Sequence, residues 1–277
     1  MQKYPKIGLA LGSGGGFGFA YFGILDELEK AGIPLYCITG SSIGAIIGGL
    51  YSAGAKVEQM QNFSRKLKFL QIVDFGLGKS GFVRGNRAVK QINKALSLFG
   101  ACENIEDTKI KFGCTGTDLL SAQTVNFTKG SLVTAMRASF SIPGVFMPLE
   151  YEGGYFIDGG PICRCPVNLA REFGAEYVVA IDCVGSTQPI QKEDLNNYAK
   201  IMTRINYIME YRAGRAEINA ADLVVDMHQI GVDALSLKTM EKSIEYGHQY
   251  GKELAKQLKN KFQTKPEKTK TAKNKNR

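Results

Sequence analysis

A chain of 277 residues, 44% of them hydrophobic, suits one large α/β domain or at most two small ones. Its net charge of +9 is unevenly placed: Lys259 to Arg277 holds eight Lys or Arg against one acid, Glu267, and so carries +7 of the +9. That distribution argues against a dedicated nucleic-acid-binding domain, and six cysteines without zinc-ligand spacing argue against a structural metal or a disulfide scaffold.

Lys6 to Leu11 reads as an apolar strand, followed by the glycine-rich turn Gly12 to Gly16 and a helix from Phe17 to Ala31. Ala31-Gly32 ends that helix and Pro34 blocks its continuation. Leu35 to Thr39 is a second strand, Gly40 to Ile43 a sharp turn, and Gly44 to Ala53 an almost wholly apolar helix that must be buried on all sides. Helical runs follow at Glu58 to Leu70 and Asn86 to Leu96, separated by a Gly-rich loop. Lys109 to Cys114 and Thr124 to Thr128 are strands, and Leu132 to Ser139 is a short helix. Ser141 to Gly160 is punctuated by Pro and Gly and contains the strand Tyr155 to Ile157. Pro166 to Phe173 is helical, and Tyr177 to Asp182 is a buried strand of parallel type. Asp194 to Ala220 is a long helix, Leu223 to Met227 a final strand, and Ser236 to Lys261 an amphipathic helix. Strands alternating with helices imply a mostly parallel sheet covered on both faces, an α/β/α sandwich over residues 1–258. The basic segment 259–277, with one aromatic and almost no aliphatics, is expected to be disordered. It reads as a solubilising extension or as a weak adhesive for anionic lipid headgroups.

Two uncharged stretches imitate other signals. Ile7 to Leu25 resembles a leader peptide but holds seven glycines and lacks a small-x-small cleavage site. Ile33 to Ala55 is long enough to span a bilayer, with Gly40, Gly44 and Gly48 at the spacing of packed membrane helices. Pro34, Thr39, Ser41 and Ser42 break it into strand, turn and helix, so both stretches read as the buried centre of an α/β domain.

Three segments carry chemistry. Gly40-Ser41-Ser42-Ile43-Gly44 is a G-x-S-x-G between a strand and a buried helix, the setting of a nucleophile elbow with Ser42 at its tip. The helix N-terminus there favours developing negative charge. Gly12-Ser13-Gly14-Gly15-Gly16-Phe17-Gly18 follows the first strand and supplies N–H donors suited to a tetrahedral oxyanion. A dinucleotide fingerprint fits neither register, since its last glycine would fall on Phe17 or Phe19. Asp158-Gly159-Gly160 ends the strand Tyr155 to Ile157, and Asp158 enters the same crevice as Ser42 if the two strands are parallel neighbours.

The chain has only two histidines. The order Ser42, Asp158, His248 would match a hydrolase triad, but His248 lies among the charged residues of a helix. His228, just after the last strand, is the better rival. A histidine-free Ser–Asp dyad is the economical reading. Gly78-Lys79-Ser80 imitates the end of a P-loop, yet the required first glycine is Val73, leaving a flexible loop or lid. Cys37 and Cys183 read as small core residues, Cys163 and Cys165 as structural, and a reducing cytoplasm as the simplest setting.

Taken in chain order, these segments resemble the patatin-like phospholipase family, in particular its small bacterial members. The likeness runs from Lys6 to about Leu258. It also includes Arg137-Ala138-Ser139, Ile142-Pro143-Gly144-Val145-Phe146 with Pro148, and Pro166-Val167 before the run Val178 to Asp182. The resemblance implies a three-layer α/β/α fold and hydrolysis of lipid acyl esters with no metal and no cofactor. Ser42 would attack the ester carbonyl, Asp158 would take its proton, the N–H groups of Gly14 and Gly15 would hold the oxyanion, and water would release the acid from an acyl-enzyme. Two positions depart from the family pattern: Phe17 replaces a frequent Arg or Lys, and Ser13 replaces the first glycine of a triple. The expected partner is a lipid or acyl-ester substrate, with peripheral membrane contact through the basic tail and no nucleic acid. Two alternatives use the same fold: a catalytically weak lipid-binding or regulatory protein, and an acyltransferase with an acceptor other than water.

Overall fold

The computed structural model describes residues 4–78, 81–184, 190–229, 232 and 237–263. In chain order the elements are β1 (Ile7–Leu11), α1 (Ala20–Lys30), β2 (Cys37–Ser41), α2 (Ile43–Ser52), α3 (Val57–Lys66) and α4 (Phe69–Ile72). A small hairpin, β3 (Phe75–Gly78) and β4 (Gly81–Val83), precedes α5 (Asn86–Phe99), β5 (Lys111–Asp118), β6 (Gln123–Phe127) and α6 (Leu132–Ser139). Then come β7 (Leu149–Tyr151), β8 (Gly154–Asp158), α7 (Val167–Glu172), β9 (Tyr177–Asp182), α8 (Tyr198–Ile218), β10 (Leu223–Asp226) and α9 (Met240–Gln263).

The strands of the parallel part are nearly continuous apolar runs because both of their faces are covered. Successive side chains alternate between two cores. Leu9, Leu11, Ile38, Val179 and Ile181 pack with Ile24 of α1, Ile47 of α2, Met136 of α6 and Ile244 of α9. Ala10, Cys37, Val178 and Ala180 face Leu169 and Ala170 of α7 and Ile218 of α8. The result is the expected three-layer α/β/α arrangement.

The sheet is mixed. Strands β10, β9, β1, β2 and β5 pair in parallel in that order, whereas β6 and β8 join β5 antiparallel and β7 joins β8 antiparallel. Strand β7 and the β3–β4 hairpin fall in stretches read from sequence as irregular, being only three or four residues long. Residues 79–80 of the P-loop-like stretch lie outside the described residues.

The uncharged run from Ile33 to Ala55 divides into β2 and α2, and no helix among the described residues is long and apolar enough to cross a membrane. Helix α9 continues to Gln263, five residues into the segment assigned to a disordered tail. Phe262 anchors that extension, with its ring edge-to-face against Tyr4 and Tyr177. The rest of the basic segment, 264–277, lies outside the described residues.

Candidate active site

Ser42 sits between the last residue of β2 and the first of α2, with φ 55° and ψ −119°. A non-glycine residue at positive φ stores roughly 1–3 kcal/mol of strain and persists only when its surroundings fix it. Here they do. The Ser42 N–H donates to Ser139 Oγ at 2.9 Å, and its carbonyl accepts from the N–H groups of Ala45 and Ile46 at 3.0 and 3.2 Å. The flanking glycines are demanded by close approach. A Cβ on Gly40 would lie 2.4 Å from the Gly44 carbonyl oxygen, and one on Gly44 would lie 2.3 Å from that of Leu11.

Asp158 reaches Ser42 by a route other than the parallel neighbours expected from sequence. Strand β2 pairs with β5 as far as Ser41, opposite Thr115. Strand β8 runs the other way and ends with Asp158 opposite Gly116. Since β6 occupies the far edge of β5 along both segments, β2 and β8 share one edge and meet end to end. Gly159 turns at the junction, where a Cβ would lie 2.5 Å from the Thr115 carbonyl oxygen and 2.7 Å from Ser41 Oγ. Asp158 N donates to the Ser141 carbonyl at 3.0 Å, and Gly160 N donates to Asp158 Oδ1 at 2.7 Å. The Arg137-Ala-Ser-Phe-Ser segment thus supports both residues, Ser42 through Ser139 and Asp158 through Ser141.

The first glycine turn forms the third wall. Gly12 N donates to the Ile181 carbonyl and Ser13 N to the Arg164 carbonyl, so β9 and the loop before α7 fix its path. Gly14 and Gly15 have φ of 150° and 55°. Among the described residues no acceptor faces their N–H groups.

Electrostatically, Asp158 is the unusual group. Burial is the main force raising its pKa well above the ordinary carboxylate range, and the nearby carboxylate of Glu210 adds to it. The Ser42 hydroxyl and the Gly160 N–H act in the opposite sense. Asp158 Oδ2 is buried and meets no partner at strict hydrogen-bond geometry.

Glu210 belongs to α8, which crosses the site as a roof. Ser13 Oγ donates to Glu210 Oε2 at 2.5 Å, Tyr207 Oη donates to the Gly14 carbonyl at 3.2 Å, and Asn206 Nδ2 donates to the Pro143 carbonyl at 3.3 Å. The Glu210 carboxyl lies directly over Gly160. Phe17, at the position where the family often carries a cation, packs its ring edge-to-face against Tyr207. Beneath this roof Ser42 keeps 4% of its surface and Asp158 2%. Under the loop lies a buried ion pair, Arg164 with Asp182.

None of Glu210, Tyr207, Ser139 and the Arg164–Asp182 pair was singled out as a site residue from sequence. Ser13 was the one signal available: a hydroxyl where a glycine is usual needs a partner. The histidines lie elsewhere. His248 Nδ1 bonds Glu27 at 2.8 Å, with Asp26 at 3.6 Å, and the His228 N–H donates to Tyr250. All six cysteines are unbridged thiols, and burial pushes those of Cys163, Cys165 and Cys183 upward, as fits inert core groups.

A sequence profile described as Patatin-like phospholipase matches residues 9–171. An uncharacterised NTE family protein of Mycobacterium tuberculosis, Rv1063c, is 30% identical over 205 residues, which is 73% of this chain and 56% of that one. Lysophospholipase NTE1 of Debaryomyces hansenii is 32% identical over 187 residues, 65% of this chain but 12% of that protein. The chain therefore spans about half the length of the mycobacterial relatives and a small part of the yeast one. Among solved structures, VipD from Legionella pneumophila shares the fold with a TM-score of 0.56 at 13% identity, covering 92% of this chain and 67% of that one. Residues 9–171 span both the serine elbow and the Asp-Gly-Gly turn, and the chain belongs to the patatin-like phospholipase family.

Proposed function

We propose that this chain hydrolyses acyl esters of lipids, with Ser42 as nucleophile and Asp158 as its general base. The observation that carries the reading is the end-to-end meeting of β2 and β8 on one edge of β5. Asp158 Oδ2 takes the proton of Ser42 Oγ as that oxygen bonds to the ester carbonyl carbon. The carbonyl oxygen becomes an anion facing the N–H groups of Gly14 and Gly15. Collapse of the tetrahedral adduct breaks the bond to the alcohol, which leaves with the proton from Asp158. Water, deprotonated by the same carboxylate, then attacks the acyl-enzyme, and the bond to Ser42 Oγ breaks as Asp158 returns the proton to that oxygen, freeing the fatty acid. Gly40, Gly44, Gly159 and Gly160 keep the backbone close enough for this to work.

Family membership supports a lipid substrate, and the yeast relative's name makes lysophospholipids the first class to test. In this reading the basic C-terminal segment adds attraction to anionic headgroups, and a reducing cytoplasm suits six thiols. The test is labelling by a fluorophosphonate, combined with turnover of p-nitrophenyl esters and of labelled lysophospholipids and phospholipids. Labelling and release of fatty acid that both vanish in Ser42→Ala support the reading. Turnover that survives that change sinks it, and acyl transfer to an added alcohol in preference to water would make the chain a transferase.

A further inference from the structure

Helix α8 shows solvent a face that a water-facing helix does not need. Tyr198, Ile201, Ile205, Ile208 and Met209 are 41% to 57% exposed. At 100° per residue they fall within an arc of about 100°, a continuous apolar stripe. Tyr207, Glu210 and Gly214 point the opposite way, toward the glycine turn and Arg164. Helix α8 carries four cations, Lys200, Arg204, Arg212 and Arg215, and two acids: Glu210, which is buried, and Glu217, which is half-buried on the opposite side from the stripe and bonded to Cys163 and Asn168. Arg215 is engaged with Asp226, while Arg212 lies exposed among the apolar residues. An exposed apolar stripe flanked by cations, with no exposed acid along it, is the chemistry of a helix lying in the interface of an anionic bilayer.

We propose that the outer face of α8 is the docking surface for an anionic lipid bilayer, placing the roof of the Ser42 site against the membrane. The inference deepens the lipid-hydrolase reading and rests on it for the choice of partner. It accounts for the helix having two dissimilar faces: one holds Ser13, Gly14 and the Asp158 turn, and the other sinks into acyl chains. Contact with the bilayer therefore falls on the element that covers a dyad with almost no exposed surface.

The chain contains no Trp, so a single introduced one reports its own position. Ile208→Trp places the probe on the stripe, and Leu120→Trp places it on the exposed β5–β6 turn as a control. Both are made in the full chain carrying Ser42→Ala and mixed with vesicles of phosphatidylglycerol and phosphatidylcholine. Docking is seen as a blue shift of the Ile208→Trp emission and its quenching by brominated acyl chains, with the control unmoved. Ile205→Asp with Met209→Asp should weaken vesicle binding by about tenfold or more, since two buried apolar side chains are lost. That variant should retain fluorophosphonate labelling in the Ser42 chain, which shows that it folds.

Vesicle binding with an unchanged Ile208→Trp spectrum would assign binding to another surface, such as the basic tail, and overturn the proposal. So would absence of vesicle binding. A dimer in sedimentation velocity that Ile205→Asp dissociates would give the stripe to a second copy and also overturn it. The two readings fail separately: a chain that docks but shows no ester turnover sinks the hydrolase and leaves the docking face intact, and turnover without docking does the reverse.

Discussion

Ser41 and Asp158 occupy successive rungs on one edge of β5, opposite Thr115 and Gly116, although 117 positions separate them in the chain. Two strand ends approaching head-on leave their next side chains no place but the junction, and Ser42 is the residue after Ser41. The proposed dyad is therefore built from backbone register. Asp158→Asn keeps the shape and the Gly160 N–H contact at Oδ1 while removing the base. We expect kcat/KM on a soluble ester to fall at least about 10³-fold, as loss of a catalytic base does elsewhere. His228→Ala and His248→Ala should each stay within a few-fold of the parent. The His228 backbone N–H donates to Tyr250 on α9, the His248 ring bonds Glu27 on α1, and among the described residues neither histidine is bonded to Ser42 or Asp158. A histidine variant as damaged as Asp158→Asn would replace the dyad with a triad.

Gly44→Ala tests the elbow by space alone. The added methyl would lie 2.3 Å from the Leu11 carbonyl oxygen and 2.8 Å from that of Gly12, both backbone atoms that cannot rotate away. Helix α2 must then lift off β1, and with it Ser42 and the start of the glycine turn. Overpacking of this kind costs about 1–3 kcal/mol. Thermal unfolding should register that loss. Turnover should fall further than the loss of folded protein explains, because a nucleophile displaced by about an ångström loses orders of magnitude. Gly32→Ala, where no atom lies within 4 Å of the new methyl but φ is +67°, is the comparison: some loss of stability and unchanged turnover.

The sequence makes legible what short stretches of chain determine. The G-x-S-x-G, the glycine turn and the Asp-Gly-Gly are legible as glycines clustered at strand ends, although most contacts that demand them are remote in the chain: Gly44 meets Leu11, Gly159 meets Thr115, and Gly160 meets Glu210. The approach of Asp158 departs from the parallel arrangement because β8 pairs with β5 antiparallel, a long-range pairing that local pattern does not encode. Glu210 was invisible for a related reason. In sequence it stands among Ile208, Met209, Tyr211 and Arg212 and resembles a solvated helix acid, whereas its carboxyl bonds Ser13, 197 residues earlier. Ser13 was noticed as a departure, yet nothing near it in the chain named its partner.

The pH dependence of turnover follows from the crowding of two carboxyl groups. Burial first, and Glu210 second, push Asp158 up to about 8. The base works only when ionised, so kcat/KM should climb as pH rises through that region. Glu210→Gln removes the neighbouring negative charge but not the burial. The rising limb should then move to lower pH without disappearing. A limb that stays put would mean that Glu210 carries its proton throughout the working range. Stability runs the other way. A carboxyl whose folded pKa lies above its unfolded value favours the folded state fully below the unfolded range, near pH 4, and that contribution is lost as pH rises through the folded value. Melting temperature should therefore fall between about pH 4 and 8 and level off above, and Asp158→Asn should flatten that decline.

The ion pair under the glycine turn offers the sharpest contrast between stability and chemistry. Arg164 and Asp182 are 1% and 0% exposed, the Arg164 carbonyl accepts from Ser13 N, and the Arg164 side chain fills the space against Gly214 of α8. Arg164→Met retains most of the volume but takes its arginine from the buried Asp182 carboxylate. Breaking such a pair from one side typically costs about 3–5 kcal/mol, whereas replacing both members with apolar groups of similar size is often nearly neutral. Arg164→Met should therefore melt well below the parent, and adding Asp182→Leu should recover much of the loss, giving a large coupling in a double-mutant cycle. Activity need not recover with it. The Arg164 charge also favours the ionised form of Glu210, so its removal should raise the Glu210 pKa and leave more of that carboxyl neutral. A neutral Glu210 presses less on Asp158, so Arg164→Met should displace the pH–rate limb in the same direction as Glu210→Gln, and adding Asp182→Leu, which removes a charge that raises the Glu210 pKa, should shrink that displacement. An unshifted limb in Arg164→Met would confine Arg164 to holding the fold.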